Sequence, residues 1–152
     1  MAPTATAQPA APTTDPLALS AGEGDRYEAF GARFTVKLTA KDTGGELSLL
    51  EVEVPAGYSA PLHVHYAEDE TFWILDGDVT FEVGGERIET GPGAAVFGPR
   101  NIPHRFESEH GARMVWVLTP GGFEDMVREA SDPANQDRLP EVVRKYGNEL
   151  LV

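Results

Sequence analysis

The feature that most limits how this chain can fold is a period of two, repeated in short runs from Arg33 onward. Phe34, Val36 and Leu38 alternate with Thr35 and Lys37, Leu50, Val52 and Val54 with Glu51 and Glu53, and Val79, Phe81 and Val83 with Thr80 and Glu82. Two further runs are apolar on both phases: Phe72 and Ile74 against Trp73 and Leu75, and Met114, Trp116 and Leu118 against Val115 and Val117. Successive side chains of a strand point to opposite faces, so each run turns one face inward. Gly44-Gly45, Asp76-Gly77, Gly84-Gly85 and Gly91-Pro92-Gly93 separate the runs. Such groups supply the positive φ that tight hairpins need. Many short strands at this spacing predict an all-β sandwich or barrel.

The two ends read differently. Residues 1–16 are Ala, Pro and Thr with little else. That composition cannot bury a core and predicts a disordered tail, leaving 17–152 as a single domain. Near the other end Phe123, Met126, Val127 and Ala130 fall at i, i+3, i+4 and i+7, one stripe of a helix. A second short helix is expected over Pro140–Tyr146, with proline at its start and Gly147 as its stop. Both helices should cover one mouth or face of the barrel.

Charge and composition narrow the function. The 25 acidic residues against 12 basic ones give a formal net charge of −13. Such a surface repels phosphate backbones and anionic membranes, so neither nucleic acid nor membrane is an expected partner. There is no cysteine, which removes disulfides, thiolate metal sites and thiol catalysis. No apolar run approaches the roughly 18 residues of a membrane helix. The start of the chain lacks the basic and apolar regions of a signal peptide, and a cytoplasmic location is expected.

His63 and His65 lie two residues apart, which on a strand puts both imidazoles on one face. Glu70 follows at the start of the next run, and His104 lies far along the chain after Pro103. Three imidazoles and a carboxylate suit one borderline divalent ion: Fe, Mn, Ni, Co, Cu or Zn. The fourth histidine, His110, sits in Glu109-His110-Gly111 and reads as an exposed hairpin turn. Glu68 and Asp69 adjoin Glu70. Either could replace it as ligand, but their plainer reading is a solvated acidic turn that steers cations inward.

These residues resemble a known family. The stretch from Gly57 through His63 and His65 to Glu70 and Gly77 matches the first cupin motif, G-x5-H-x-H-x4-E-x6-G, at every fixed position. Gly93, Pro99 and His104 match the second, G-x5-P-x-G-x2-H-x3-N, with Asn101 and Ser108 standing for its second glycine and its asparagine. Asparagine tolerates a left-handed turn, and Ser108 lies beyond the ligand. The resemblance covers about 47–118. It implies a cupin (jelly-roll) β-barrel in which His63, His65, Glu70 and His104 hold the metal, and its register selects Glu70 over its acidic neighbours.

The run from Pro61 to Gly77, with Pro120-Gly121-Gly122-Phe123-Glu124 before a helix, resembles the single-domain quercetinase-like branch of cupins. What this implies is a dioxygenase of an enolised aromatic, flavonol- or polyketide-like, with Glu70 as proton acceptor. The branch is also similar to small polyketide cyclases, in which the metal would polarise a carbonyl. A redox-neutral cyclase or isomerase and a non-catalytic metal or ligand binder are the alternative readings.

The four ligands leave up to two open positions on an octahedral ion. Phe72, Phe81, Phe97, Phe106, Met114 and Trp116 are expected to line an apolar pocket beside it, suited to a flat aromatic molecule better than to a sugar. Arg105 and Arg113 are out of phase with His104, and Arg100 lies in a loop. Trp73 and Leu75 fall on the face opposite Glu70. They would be exposed unless the strand near Phe34, the C-terminal helices or a second copy in a homodimer covers them.

Overall fold

The computed structural model describes residues 14–151; the tail expected over 1–16 falls, up to residue 13, outside the described residues. Twelve strands follow: β1 (Asp25–Ala29), β2 (Ala32–Leu38), β3 (Ser48–Val54), β4 (Tyr58–Ser59), β5 (His63–His65), β6 (Asp69–Gly77), β7 (Val79–Val83), β8 (Glu86–Thr90), β9 (Ala95–Gly98), β10 (His104–Ser108), β11 (Ala112–Thr119) and β12 (Asn148–Leu150). Helices α1 (Phe123–Ser131) and α2 (Leu139–Lys145) come between β11 and β12, joined by a 3-10 segment over Pro133–Arg138. The strands form two antiparallel sheets, ordered β1-β2-β3-β11-β6-β9 and β12-β5-β10-β7-β8, with β4 beside β10. This is an all-β sandwich, as the strand pattern predicts, in the jelly-roll arrangement that the resemblance implies.

The alternation decides which residues fill the space between the sheets. Phe34, Leu50, Val52, Phe72, Ile74, Phe81, Met114 and Leu118 are all buried on the inner face. Burying such a side chain contributes about 1.5–3 kcal/mol. Trp116 stands edge-on to Phe34, Phe72 and Phe106, with ring centroids 5.5, 5.4 and 5.7 Å away. Aromatic pairs favour this offset geometry.

Turn chemistry sets the register. Gly84 and Gly85 have φ of 57° and 83° and make a two-residue turn between paired Val83 and Glu86. Positive φ at both central residues fits the twist of the flanking strands. Gly77 has φ 88°, and a Cβ there would lie 2.1 Å from the Gly111 carbonyl oxygen. The β6 end and the β10–β11 hairpin can therefore meet closely only at a glycine.

The helices close one mouth. The carboxylate of Glu124, in the first turn of α1, is buried and accepts hydrogen bonds from the Ala40 amide (2.7 Å) and the Ser48 hydroxyl. Ser48 Oγ in turn accepts from the Gly122 amide at 2.8 Å. Phe123, Met126, Val127 and Ala130 are the buried stripe of this helix, as their spacing predicts. Strand β12 then pairs with β5 in the register Asn148↔His65 and Leu150↔His63. Gly147 ends the helix before it, as expected, but nothing in the sequence announces a strand after that stop, and β12 is an addition to the expected elements.

On the outer face, neither expected cover reaches Trp73. Phe34 lies inside the core, α1 packs against β1 and α2, and Trp73 remains 50% exposed. Leu75 beside it is half-buried. Among the described residues no helix is long and apolar enough to cross a membrane.

Candidate metal centre

His63 and His65 both point inward from β5, as a two-residue spacing requires. His104 enters from β10, paired directly across from His63. Glu70 comes from β6 of the opposite sheet. The structure thus brings together all four residues named from the sequence. One donor atom from each lies within 4.8 Å of the other three, so a single ion could touch all of them. Glu70 Oε2 is 3.1 Å from both His65 Nε2 and His104 Nε2.

The second motif shapes the loop that delivers His104. Asn101, where the motif has glycine, adopts φ 70°, the left-handed conformation expected of it. Its backbone amide donates to the His65 carbonyl at 2.7 Å, tying this loop to β5. Ser108 is buried, and its Oγ accepts from the Gly111 amide at 3.0 Å, closing the turn that holds His110. His110 itself is exposed and bonds Asp78 at 3.1 Å, well apart from the cluster.

Each imidazole is oriented through its far nitrogen. His63 Nδ1 lies 2.8 Å from the Pro61 carbonyl, and His104 Nδ1 lies 3.3 Å from that of Ile102. A carbonyl only accepts, so Nδ1 carries the hydrogen and the Nε2 lone pair is turned to the cluster, where it could bind an ion. His65 Nδ1 faces a carboxylate oxygen, Glu68 Oε1, at 2.9 Å. Here the expectation of a solvated acidic turn fails for Glu68, which is only 7% exposed. The chain turns inward after His65 and places this side chain behind the imidazole. Asp69 points the other way and forms a forked pair with Arg100, at 3.2 Å to Nε and 3.1 Å to the terminal nitrogen. That pair holds the Asp69 carboxyl below its usual range.

The electrostatics suit a cation. Burial opposes charge on Glu70, yet His65 and His104 more than offset it and hold the carboxyl well below the ordinary range. Burial also opposes charge on His65, but Glu70 and Glu68 outweigh it and raise its pKa to about 10. His63, desolvated and repelled by the other two imidazoles, is lowered to about 4 and is neutral. A proton on His65 thus occupies the place where a dication would balance the carboxylate. His65 Nε2 is buried without a well-aligned hydrogen-bond partner. An orphaned nitrogen inside a nitrogen and oxygen donor set fits a borderline divalent ion.

A cavity of about 70 Å³ opens beside the cluster. Of the six pocket residues expected from the sequence, Phe106 and Trp116 line it. Phe72, Phe81 and Met114 are buried behind these rings in the core and do not line it. Phe97 is a correction: it is 57% exposed on the outer face, because Val96 and Gly98 take the inward phase of β9. The lining that sequence reasoning missed comes from elsewhere in the chain, chiefly Phe34, Tyr58, Phe123, Met126 and Asn148. Only the helical stripe signalled any of these in advance, through Phe123 and Met126. Glu70 is the one carboxylate in the lining, and no arginine or lysine is among it. Arg105 and Arg113 instead pair with Glu82 and Glu51 on the surface.

Comparison with known proteins agrees with this architecture. A family model described as the cupin domain matches residues 50–119. Quercetin 2,3-dioxygenase of Bacillus subtilis (strain 168) is 34% identical over 119 residues, covering 78% of this chain and 35% of that protein. The chain spans between a third and about half of the length of the curated relatives it matches. Among solved structures, KdgF from Halomonas sp. superposes with a TM-score of 0.62 at 18% identity, over 70% of this chain and 94% of that one. The polyketide cyclase RemF from Streptomyces resistomycificus gives 0.60 at 23% identity, over 69% and 80%. Fold, motifs and the matched segment agree in pointing to a cupin domain over residues 50–119.

Proposed function

We propose that the protein is a metal-dependent cytoplasmic enzyme, a dioxygenase acting on an enolisable aromatic small molecule of flavonol or polyketide type. The observation that carries this reading is the 34% identity to quercetin 2,3-dioxygenase across the segment that holds all four cluster residues. In this reading His63, His65, Glu70 and His104 hold one divalent transition ion, which supplies Lewis acidity toward a substrate oxygen and an open position for O2.

The chain's own residues supply the rest. Phe34, Phe106, Trp116 and Phe123 give the cavity flat apolar walls, which favour a planar ring over a sugar. At about 70 Å³ the cavity is smaller than the roughly 150 Å³ that holds one benzene ring, so any aromatic substrate has to displace side chains at the mouth, a three-ring flavonol more of them than a single ring. Glu70 takes the enol proton, being the only carboxylate among the described residues that faces the cavity. Its low pKa makes it a weak base while both imidazoles hold it, so proton uptake requires that hold to loosen. The exposed face around Trp73 and Phe97 is where a homodimer would form.

The test is to determine the bound metal and follow O2 uptake and product together, using quercetin and a single-ring enolisable phenol. Oxygen consumed in step with product supports the dioxygenase. Product without oxygen uptake moves the function to a cyclase or isomerase, and absence of turnover with any of the six metals makes the protein a binder.

A further inference from the structure

A carboxylate buried behind a histidine is costly unless its charge is used. Glu68 is 7% exposed, and its Oε1 receives two groups: His65 Nδ1 at 2.9 Å and Asn148 Nδ2 at 3.4 Å. Asn148 is 2% exposed, and the same nitrogen lies 3.2 Å from the Met126 sulfur. Both neighbours of that nitrogen accept hydrogen bonds, so the amide has one sensible orientation; turned over, its oxygen would meet the carboxylate. Asn148 Oδ1 is then left without a partner, a further cost that the contact with Glu68 must outweigh. Together Met126, Asn148, Glu68 and His65 form a buried line from helix α1 through strand β12 to the cluster.

We propose that Glu68 and Asn148 are positioning residues for the metal centre: Glu68 fixes His65 with its hydrogen on Nδ1 and its Nε2 lone pair toward the ion, and Asn148 holds Glu68 in place. This rests on reading His65 as a ligand. Among the three imidazoles, His63 and His104 lean on neutral carbonyls, whereas His65 leans on a charged group. A carboxylate behind an imidazole makes it a stronger donor and prevents the ring from offering the protonated nitrogen instead. His65 is therefore the ligand whose strength depends on the C-terminal strand, since Asn148 is paired with it across β5 and β12.

The test uses the full chain with Zn²⁺ as probe, its affinity measured by competition with a chromophoric chelator. Glu68→Ala is expected to weaken Zn²⁺ binding about 10–100-fold. Glu68→Gln, whose amide oxygen can still accept from Nδ1, should lose less, and Asn148→Ala less again. Glu68→Gln keeps the shape and carries the test should Glu68→Ala fail to fold. Nitrogen NMR of the zinc-loaded protein provides a readout that simple packing would not move. Wild type should show a protected His65 Nδ1 proton that is lost to solvent exchange in Glu68→Ala and retained in Glu68→Gln. Affinity within twofold of wild type in both Glu68 variants, beside a large loss in His65→Ala, would overturn the proposal and leave the metal reading standing. Wild-type affinity in His65→Ala would remove the metal reading and the proposal with it.

Discussion

The two sheets face the same cavity and bring different chemistry to it. The sheet containing β5 and β10 supplies all three histidines, each oriented by a group two or three residues away in the chain. The sheet containing β6 supplies one carboxylate, Glu70, and two of the large rings, Phe34 and Trp116. One wall is therefore a set of imidazoles oriented locally, and the other a single carboxylate set in an apolar surface. An ion held by all four would join the walls. Losing donors from the first should abolish binding, whereas changing the second should chiefly alter reactivity.

The largest expected effect comes from the histidine wall. His63→Ala combined with His65→Ala removes both β5 donors, and metal content should fall from near one ion per chain to near zero by elemental analysis. A full complement of metal in this variant would assign the binding to other residues and end the comparison. Next comes the carboxylate wall. Glu70→Gln keeps the shape but loses the charge and the proton acceptor. At matched metal occupancy its turnover should drop about 10²–10⁴-fold. Unchanged turnover would show that Glu70 moves no proton, and that both walls serve only to bind.

The histidine wall was legible from the sequence because ligand spacing is a local property. His63 and His65 share a strand face by arithmetic, and the turn that needs a left-handed residue carries Asn101, whose φ is 70°. The placement of Glu68 was not legible, since three adjacent acidic residues look alike until the backbone turns one of them inward. Asn148 gave no signal, because its partner lies 80 positions away across a strand pair that no pattern announces. Phe97 was misplaced for a simpler reason. In Ala95-Val96-Phe97-Gly98 both phases are apolar, so alternation cannot choose a face, and the ring's size suggested the wrong one.

Metal removal gives a smaller, thermodynamic measure of how the walls are joined. An ion present at 100 times its dissociation constant stabilises the native state by about 2.7 kcal/mol. Chelation should lower the melting temperature by roughly 5–10 °C for a chain of this size, with the barrel still folded at room temperature. In the metal-free protein the walls are joined instead by the His65–Glu70 pair, which gives its own pH signature. His65 is raised from 6.5 to about 10, so its contribution is complete below pH 6.5 and fades as pH rises toward 10. Glu70 is lowered from 4.5, so its contribution is present above that pH and fades as pH falls below it. His63, lowered from 6.5 to about 4, acts oppositely and costs stability as pH falls below 6.5. The melting temperature of the metal-free protein should therefore be highest near pH 6.5, falling on the acid side and declining toward pH 10. A rise across that upper range would mean that the pair does not bridge the sheets.

The smallest effect is expected where the β6 sheet turns away from the cavity. Trp116 on its inner side and Phe97 on its outer side are both large rings, but only Trp116 is buried, at 6% exposure against 57%. Trp116→Ala should cost about 3–5 kcal/mol, because it opens a hole among Phe34, Phe72 and Phe106. Phe97→Ser should stay within about 0.5 kcal/mol, as exposed substitutions do, and leave metal content unchanged. Phe97 lies diagonally across β6 and β9 from Trp73, its partner in register being Thr71 while Trp73 faces Ala95. A second copy seated on this face would bury both rings together. Melting should then depend on protein concentration in the wild type, and Phe97→Ser should remove that dependence without touching the site. If Phe97→Ser instead lost metal or several kcal/mol at every concentration, Phe97 would belong to the cavity wall and the outward phase of β9 would be wrong.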